Sequence, residues 1–290
     1  MDKKPLNFKK DEGKAKVWSK EHYSAWKSMT KCQDKGLAPS ISVERGKVGV
    51  NTNTLIYAME GNSRGGQARS PDWHLKIKYG KEFKDSNKAE AWGRKYYANW
   101  LRNLTIVEQR SLTNYTTERG YQINKYLRNN DGELGENGIL DRDINNIDRA
   151  LKKAKTAEMV TVYRRVGENA FGMEADSLRD KNKIKIEKAR EFAERFINTT
   201  RKDQGYLSTT LVSGLSKETK SNSPEIVLMP IVLELNVPKG TRAAYINDLS
   251  HKPWEQELLI NRGSSFKIHG LSIIVEDGRE RLKVKADLLK

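Results

Sequence analysis

The sequence is short of most devices that would reveal a partner directly. It has one cysteine, Cys32, which excludes an intramolecular disulfide framework and any multi-cysteine zinc site. Its histidines, His22, His74, His251 and His269, are scattered, whereas metal ligands come in clusters, so no metal is expected. The longest nearly apolar run, residues 226–233, spans eight positions and contains a proline. That is far below the roughly 20 residues needed to cross a bilayer, and no transmembrane segment is expected. The opening MDKKPLNFKKDEGK carries the positive charge of a signal peptide but no apolar stretch behind it, so no signal peptide is recognisable. Export by an unconventional route, or a leader already removed, are the two expectations. Acidic residues are outnumbered, 38 Asp and Glu against 54 Lys and Arg, a net charge of +16. No zinc-finger spacing, RNP-type aromatic motif or helix-turn-helix pattern accompanies that charge, so nucleic acid is not the expected partner.

Six Trp, eleven Tyr and six Phe are present, with tryptophans recurring as far as Trp254. A chain of 290 residues with that aromatic content can build ordinary cores in one or two domains. The charge is uneven: residues 1–84 hold 18 basic and 9 acidic side chains. A basic leading third suits an acidic partner, whether nucleic acid, an anionic membrane or an acidic protein surface.

Periodicity divides the chain. Trp92, Tyr96, Trp100 and Leu101 lie mostly four apart in residues 88–102, the stripe of an amphipathic helix. Further helical patterns cover 107–115, 121–127 and 141–155, with breaks at Gly120 and at the NNDGELGENG stretch. From Met159 the pattern turns β-rich: a strand at 159–163, a charged helix at 184–197, then strands at 205–209, 226–237, 242–245, 255–261, 265–275 and 282–288. Helices first and a compact β core after predict an α+β domain over 85–290, preceded by a basic segment over 1–84. That segment holds an echo: Trp18, Tyr23 and Trp26 repeat as Trp92, Tyr97 and Trp100 at an offset of 74. A shortened copy of the opening helix explains this, as do two unrelated helices with similar aromatic faces.

Three motifs in the β-rich half bear on chemistry. Arg164-Arg165 stands at a strand end, where guanidinium forks can grip phosphates. Ser208-Thr209-Thr210 follows Gly205-Tyr206-Leu207, and Glu255-Gln256-Glu257 opens an apolar run. If Glu255 and Glu257 both lie in a strand, their carboxylates face one side roughly 6–7 Å apart, an arrangement suited to acid/base or oxocarbenium chemistry. Alone, each motif is a common surface pattern. The order is more telling: a helical cap, Arg164, Ser208 44 residues later and Glu255 47 beyond that.

Together with Trp92-Gly93, Gly120-Tyr121, Asn124, Tyr126-Leu127, Phe171-Gly172 and Gly263-Ser-x-Phe266-Lys267-Ile268, this pattern resembles the arginine-specific mono-ADP-ribosyltransferase toxins. It is most similar to the actin-modifying enzyme components of iota-type binary toxins and the vegetative insecticidal proteins, over residues 85–290. The resemblance implies an ADP-ribosyltransferase fold, a helical cap on two packed β-sheets. It implies a secreted enzyme, monomeric, that uses NAD as substrate and no metal, and that acts in the host-cell cytosol. Arg164 and Arg165 would hold the NAD pyrophosphate, with Tyr97 against the nucleotide and Asn169 and Thr209 as further contacts. Ser208 would orient Glu257, and Glu257 would stabilise the charge that develops as the glycosidic bond breaks. Glu255 would take a proton from an incoming guanidinium, and Trp254 would read the target. Relatives of this fold that modify asparagine, including the Rho-directed exoenzymes, place Gln at the position of Glu255, so the expected acceptor is arginine, on actin first.

A pore-forming component for delivery is also implied, with the Trp18 echo as the remnant of a docking copy. Departures from the iota type are Gly205 in place of Asn, Lys252 in place of an aromatic residue, and a stretch over 211–224 without the usual aromatic and basic side chains. They bear on the target and on NAD affinity. Alternatives are an enzyme that mainly hydrolyses NAD, a transferase acting on another protein such as a small GTPase, and a catalytically idle adaptor. The intact Arg164, Ser208, Glu255 and Glu257 set argues against the last.

Overall fold

The computed structural model describes residues 80–289 and the backbone of two further strands, β1 (Ser40–Arg45) and β2 (Asn53–Ala58). Trp18, Tyr23, Trp26, Cys32, His22 and His74 lie outside the described residues.

Four helices open the described region. In α1 (Ser86–Arg102) the Asp85 carboxylate accepts the Lys88 N–H at 3.0 Å, an N-cap worth about 1 kcal/mol. Its buried stripe includes Ala89, Trp92, Tyr97 and Trp100, the three rings packed edge to face. The helix α2 (Ile106–Tyr115) starts at a capping box in which Thr105 and Glu108 satisfy each other's backbone N–H. The two remaining helices, α3 (Glu118–Asn129) and α4 (Gly138–Lys152), are capped by Thr117 and Asn137. Buried Ser111 fastens α2 to α4, donating to Asp143 and accepting from Asn146.

The remainder is β3 (Val160–Val166), the hairpin β4 (Arg179–Asp180) and β5 (Lys183–Ile184), α5 (Ile186–Phe196), β6 (Thr200–Asp203), β7 (Leu207–Thr210), the short helices α6 (Lys217–Asn222) and α7 (Pro224–Leu228), β8 (Ile231–Val237), β9 (Ala243–Tyr245), β10 (Glu257–Ile260), β11 (Ser264–Glu276) and β12 (Arg279–Leu288). Hydrogen bonding runs in the order β1, β2, β11, β12, β8, β3, β7, β10, β9, with β6 also on β11. Strand β3 meets β7 through a single residue pair, Tyr163 opposite Thr210. The ten strands are hydrogen-bonded as one sheet that narrows to that one pair, and the α+β architecture is the one expected.

Two differences from the expected elements matter. Residues 226–228 are helical: Pro224 fits the first turn of α7, where its missing N–H costs nothing, and Pro230 precedes the strand, which begins only at Ile231. The chain also joins the core ahead of Asp85. Lys81 pairs with β3 through Met159 and Thr161, and Phe83 is buried against Trp92. Further upstream, β2 pairs with β11, Tyr57 opposite Leu271, so the leading segment supplies strands to the same sheet.

Candidate active site

The narrow seam between β3 and β7 positions the motifs. On β7, Ser208 and Thr210 share a face by the two-residue period of a strand. In the β10 register Thr210 stands opposite Glu257 and Ser208 opposite Leu259, so Ser208 is the diagonal neighbour of Glu257 on one face. Thr209 points the other way and ties the strands, its hydroxyl donating to the Leu258 carbonyl at 2.6 Å. Across the seam, Arg164 follows Tyr163 at the end of β3. A cleft of about 200 Å³ opens here, lined by Arg164, Ser208, Thr210, Trp254, Glu255 and Glu257.

Glu255 and Glu257 converge by a route other than strand alternation. Glu255 ends a 3-10 turn (Pro253–Glu255), and Gln256 is left-handed, φ 50° and ψ 51°. The strand begins at Glu257. The side-chain amide of Gln256 braces that conformation at both ends: Oε1 accepts from Tyr245 Oη at 2.7 Å and Nε2 donates to the Pro253 carbonyl at 3.0 Å. The turn lifts Glu255 off the sheet while Glu257 stays buried at 3% exposure.

The electrostatics follow from burial. Desolvation pushes the Glu257 carboxyl up to about 7, and the like charge of Glu255 adds to it, while the Ser208 hydroxyl, Arg164 and Lys252 pull the other way. Glu255 is raised as well, by burial first, with Lys252 and Ser223 opposing and Glu225 reinforcing. Lys252 Nζ stands 3.8 Å from Glu255 Oε1. Burial lowers the Arg164 pKa, with Asp203 countering and Arg128 adding to the fall. Arg128 grips Asp203 through two hydrogen bonds, 2.8 and 2.9 Å, leaving Arg164 Nη1 3.9 Å from the same carboxylate, too far for a hydrogen bond.

Buried polar atoms without partners are rare in folded proteins. Three line this cleft: Arg164 Nη1, Glu257 Oε1 and Trp254 Nε1. A guanidinium nitrogen, a carboxylate oxygen and an indole N–H, each without a hydrogen-bond partner, form a set complementary to an anionic, hydroxyl-bearing ligand.

Of the other expected contacts, Arg165 also lines the cleft, but its fork is held by Glu276 at 2.6 and 3.2 Å, so that guanidinium is already engaged. Tyr97 is a core residue at 4% exposure, between Trp92 and Trp100, and burial pushes its phenol far up. Asn169 is exposed on the 3-10 turn after β3. Asp203, Arg128, Thr219 and Ser223 escaped the sequence reading: Asp203 and Arg128 are 75 residues apart, and neither Ser223 nor Thr219 sits in a motif. Among the described residues no group of three His, Cys, Asp or Glu can hold a metal ion.

The seam between β3 and β7 thus aims an arginine, a serine and a buried glutamate into one cleft. The sequence model of the ADP-ribosyltransferase exoenzyme family matches residues 89–290, and the chain belongs to that family. The solved structure of Plx2a, an ADP-ribosyltransferase toxin from Paenibacillus larvae, is similar with 36% identity and TM-score 0.64, over 72% of this chain and 99% of that one. Mono-ADP-ribosyltransferase C3 of Clostridium botulinum D phage is 28% identical over 205 residues, 69% of this chain and 75% of the relative. NAD(+)–arginine ADP-ribosyltransferase EFV of Enterococcus faecalis is 26% identical over 181 residues, 61% of this chain and 31% of the relative. The kinship is therefore C3-like, where the sequence motifs pointed to the iota type. The protein is a mono-ADP-ribosyltransferase of the toxin class, and NAD is its substrate.

Proposed function

We propose that the protein is a secreted toxin that breaks the bond between nicotinamide and ribose in NAD and passes the ADP-ribosyl group to an arginine of a host protein. Arg164, with its unpaired Nη1, takes the pyrophosphate, and Glu257 Oε1 takes a ribose hydroxyl beside the breaking bond. Nicotinamide leaves with the bonding electron pair. The cationic ribose carbon faces the Glu257 carboxylate, which Ser208 orients, and a guanidine nitrogen attacks that carbon. The single observation that carries arginine as the acceptor is Glu255. It is a second carboxylate at the cleft, stationed on a turn one residue from the strand that holds Glu257, and burial raises its affinity for a proton. A guanidinium is protonated at every physiological pH, so forming the new C–N bond requires a base for the proton it loses, and Glu255 receives it. The name of the Enterococcus faecalis relative, an arginine ADP-ribosyltransferase, supports the same acceptor.

For the protein that carries the arginine, the sequence motifs favour actin, and kinship with the C3 transferases favours another host protein such as a small GTPase. The residues over 1–84, net +9, which also lend β1 and β2 to the sheet, serve delivery as well, docking on a pore-forming component. The test is labelling of host-cell lysate with NAD carrying a radioactive phosphate, followed by mapping of the modified side chain, with Glu257→Ala alongside. Glu257-dependent label on arginine of an actin-sized band supports the full reading, and label on arginine of another protein moves the target. Label on asparagine refutes the acceptor, and NAD loss without label makes the protein a glycohydrolase. No NAD loss makes it an adaptor.

A further inference from the structure

Behind the cleft wall lies a fully buried hydroxyl that the chemistry above does not use. Ser223, 0% exposed, lies between α6 and α7, and its Oγ donates to Glu255 Oε1 at 3.2 Å. One turn earlier, Thr219 Oγ1 donates to the Trp254 carbonyl at 3.3 Å. Two hydroxyls from one short helical segment thus reach consecutive residues of the 3-10 turn. Ser223 cannot swing aside: its N–H is bonded to the Thr219 carbonyl at 2.9 Å, and Pro224 follows it.

The segment that presents these hydroxyls is itself anchored far from the cleft. Buried Arg281 donates to the carbonyls of Val227 (2.7 Å) and Met229 at the end of α7, and Arg279 donates to Val227 at 3.3 Å. Lys220 pairs with Asp277 in the turn between β11 and β12. Glu276, also from that strand end, holds both Arg281 at 2.8 Å and Arg165 at 2.6 Å. Arg165 completes the frame by donating to the Ser213 carbonyl at 3.3 Å. The turn bearing Glu255 therefore rests on α6 and α7, and these rest on the β11–β12 turn.

We infer that Ser223 is a positioning residue for transfer to the acceptor: its buried hydroxyl fixes the Glu255 carboxylate toward the incoming guanidinium, so that it serves transfer and not NAD cleavage. This rests on the reading of Glu255 as the proton acceptor. The hydrogen bond fixes Oε1, the oxygen that also faces Lys252 Nζ at 3.8 Å, and leaves Oε2 for the proton. The charged groups around Glu255 are Lys252 on its own turn, Glu225 on α7 and Glu257 on β10. A hydroxyl donating to a carboxylate stabilises its ionised form, so removing it raises the pH at which Glu255 ionises.

The experiment measures nicotinamide release in water and ADP-ribosyl transfer to agmatine, a free guanidine acceptor, from pH 5.5 to 9, in the full chain. Wild type, Ser223→Ala, Ser223→Cys and Glu255→Gln are compared. For Ser223→Ala the expected result is hydrolysis within about twofold of wild type, transfer lowered about tenfold, and the acid limb of transfer moved to higher pH. Ser223→Cys keeps the volume with a weaker donor and falls between the two; it carries the test if the alanine variant fails to fold. Equal loss of hydrolysis and transfer, or unchanged transfer with an unmoved acid limb, overturns the inference. If Glu255→Gln itself reduces both activities alike, the reading of Glu255 has failed instead.

Discussion

Replacing Glu257 with Gln should make the protein more stable and inactive, and the size of the gain should depend on pH. Glu257 is 3% exposed and its carboxyl is pushed from an ordinary 4.5 up to about 7, chiefly by burial. A group whose folded value is raised contributes stability that is fully present below the unfolded value, 4.5, and is lost as pH rises through the folded value, about 7. From 4.5 to about 7 that loss comes to about 3 kcal/mol. Gln does not ionise and loses nothing over that window. The difference in unfolding free energy between variant and wild type should therefore grow by about 3 kcal/mol from pH 4.5 to pH 8.5. For a domain of this size that is roughly 6–12 °C in melting temperature. Urea unfolding at the two pH values reads it directly, and comparing two proteins at one pH cancels the other titrating groups. A gain of the same size at both pH values would refute the argument that the catalytic carboxylate is held charged at the expense of the fold. The acid limb of NAD cleavage should likewise fall near pH 7, with activity lost below it.

Further outcomes concern the groups around the cleft. Arg164→Lys, which replaces a fork with a single ammonium, should lower kcat/KM for NAD by about 10–100-fold with little change in melting temperature; an unchanged KM would remove Arg164 from the pyrophosphate. Glu276→Ala should cost about 3–5 kcal/mol in urea unfolding, because it leaves Arg165 and Arg281 buried and unpaired at 3% and 0% side-chain exposure. A loss under 1 kcal/mol would contradict the anchoring role of Glu276. At Gly93 an added Cβ would lie 2.3–2.5 Å from the Tyr245 ring. Gly93→Ala should thus cost about 1–3 kcal/mol and lower activity through the Tyr245–Gln256 bond that shapes the catalytic turn, read by melting and by NAD cleavage together.

How much of this was legible in the sequence differs from feature to feature. The helical cap was readable because each helix carries its own apolar stripe, whereas the capping side chains Asp85, Thr105, Thr117 and Asn137 came only with the structure. Local pattern failed where prolines reset it: the apolar run 226–233 reads as one strand, yet Pro224 and Pro230 make its first turn helical. Arg164, Ser208, Glu255 and Glu257 were legible as motifs and meet in one cleft, but the geometry of the acid pair was not. Strand alternation suggested one face for both carboxylates. What separates them is a left-handed Gln256, stabilised by Tyr245 and Pro253, which no two-residue period encodes. Tyr97 showed the limit of aromatic motifs: its ring completes the packing of Trp92 and Trp100. Asp203 with Arg128, and Ser223 with Glu255, depend on contacts 75 and 32 residues apart in the chain, and nothing local marks them.

The central claim is a division of labour between two carboxylates, Glu257 for breaking the NAD bond and Glu255 for accepting the proton of an arginine. Nicotinamide release in water and ADP-ribosyl transfer to a guanidine acceptor, measured side by side in Glu255→Gln, test it most directly. The account predicts hydrolysis within a few-fold of wild type and transfer reduced by at least about 100-fold. Equal loss of both activities, or full transfer without the Glu255 carboxylate, would contradict it.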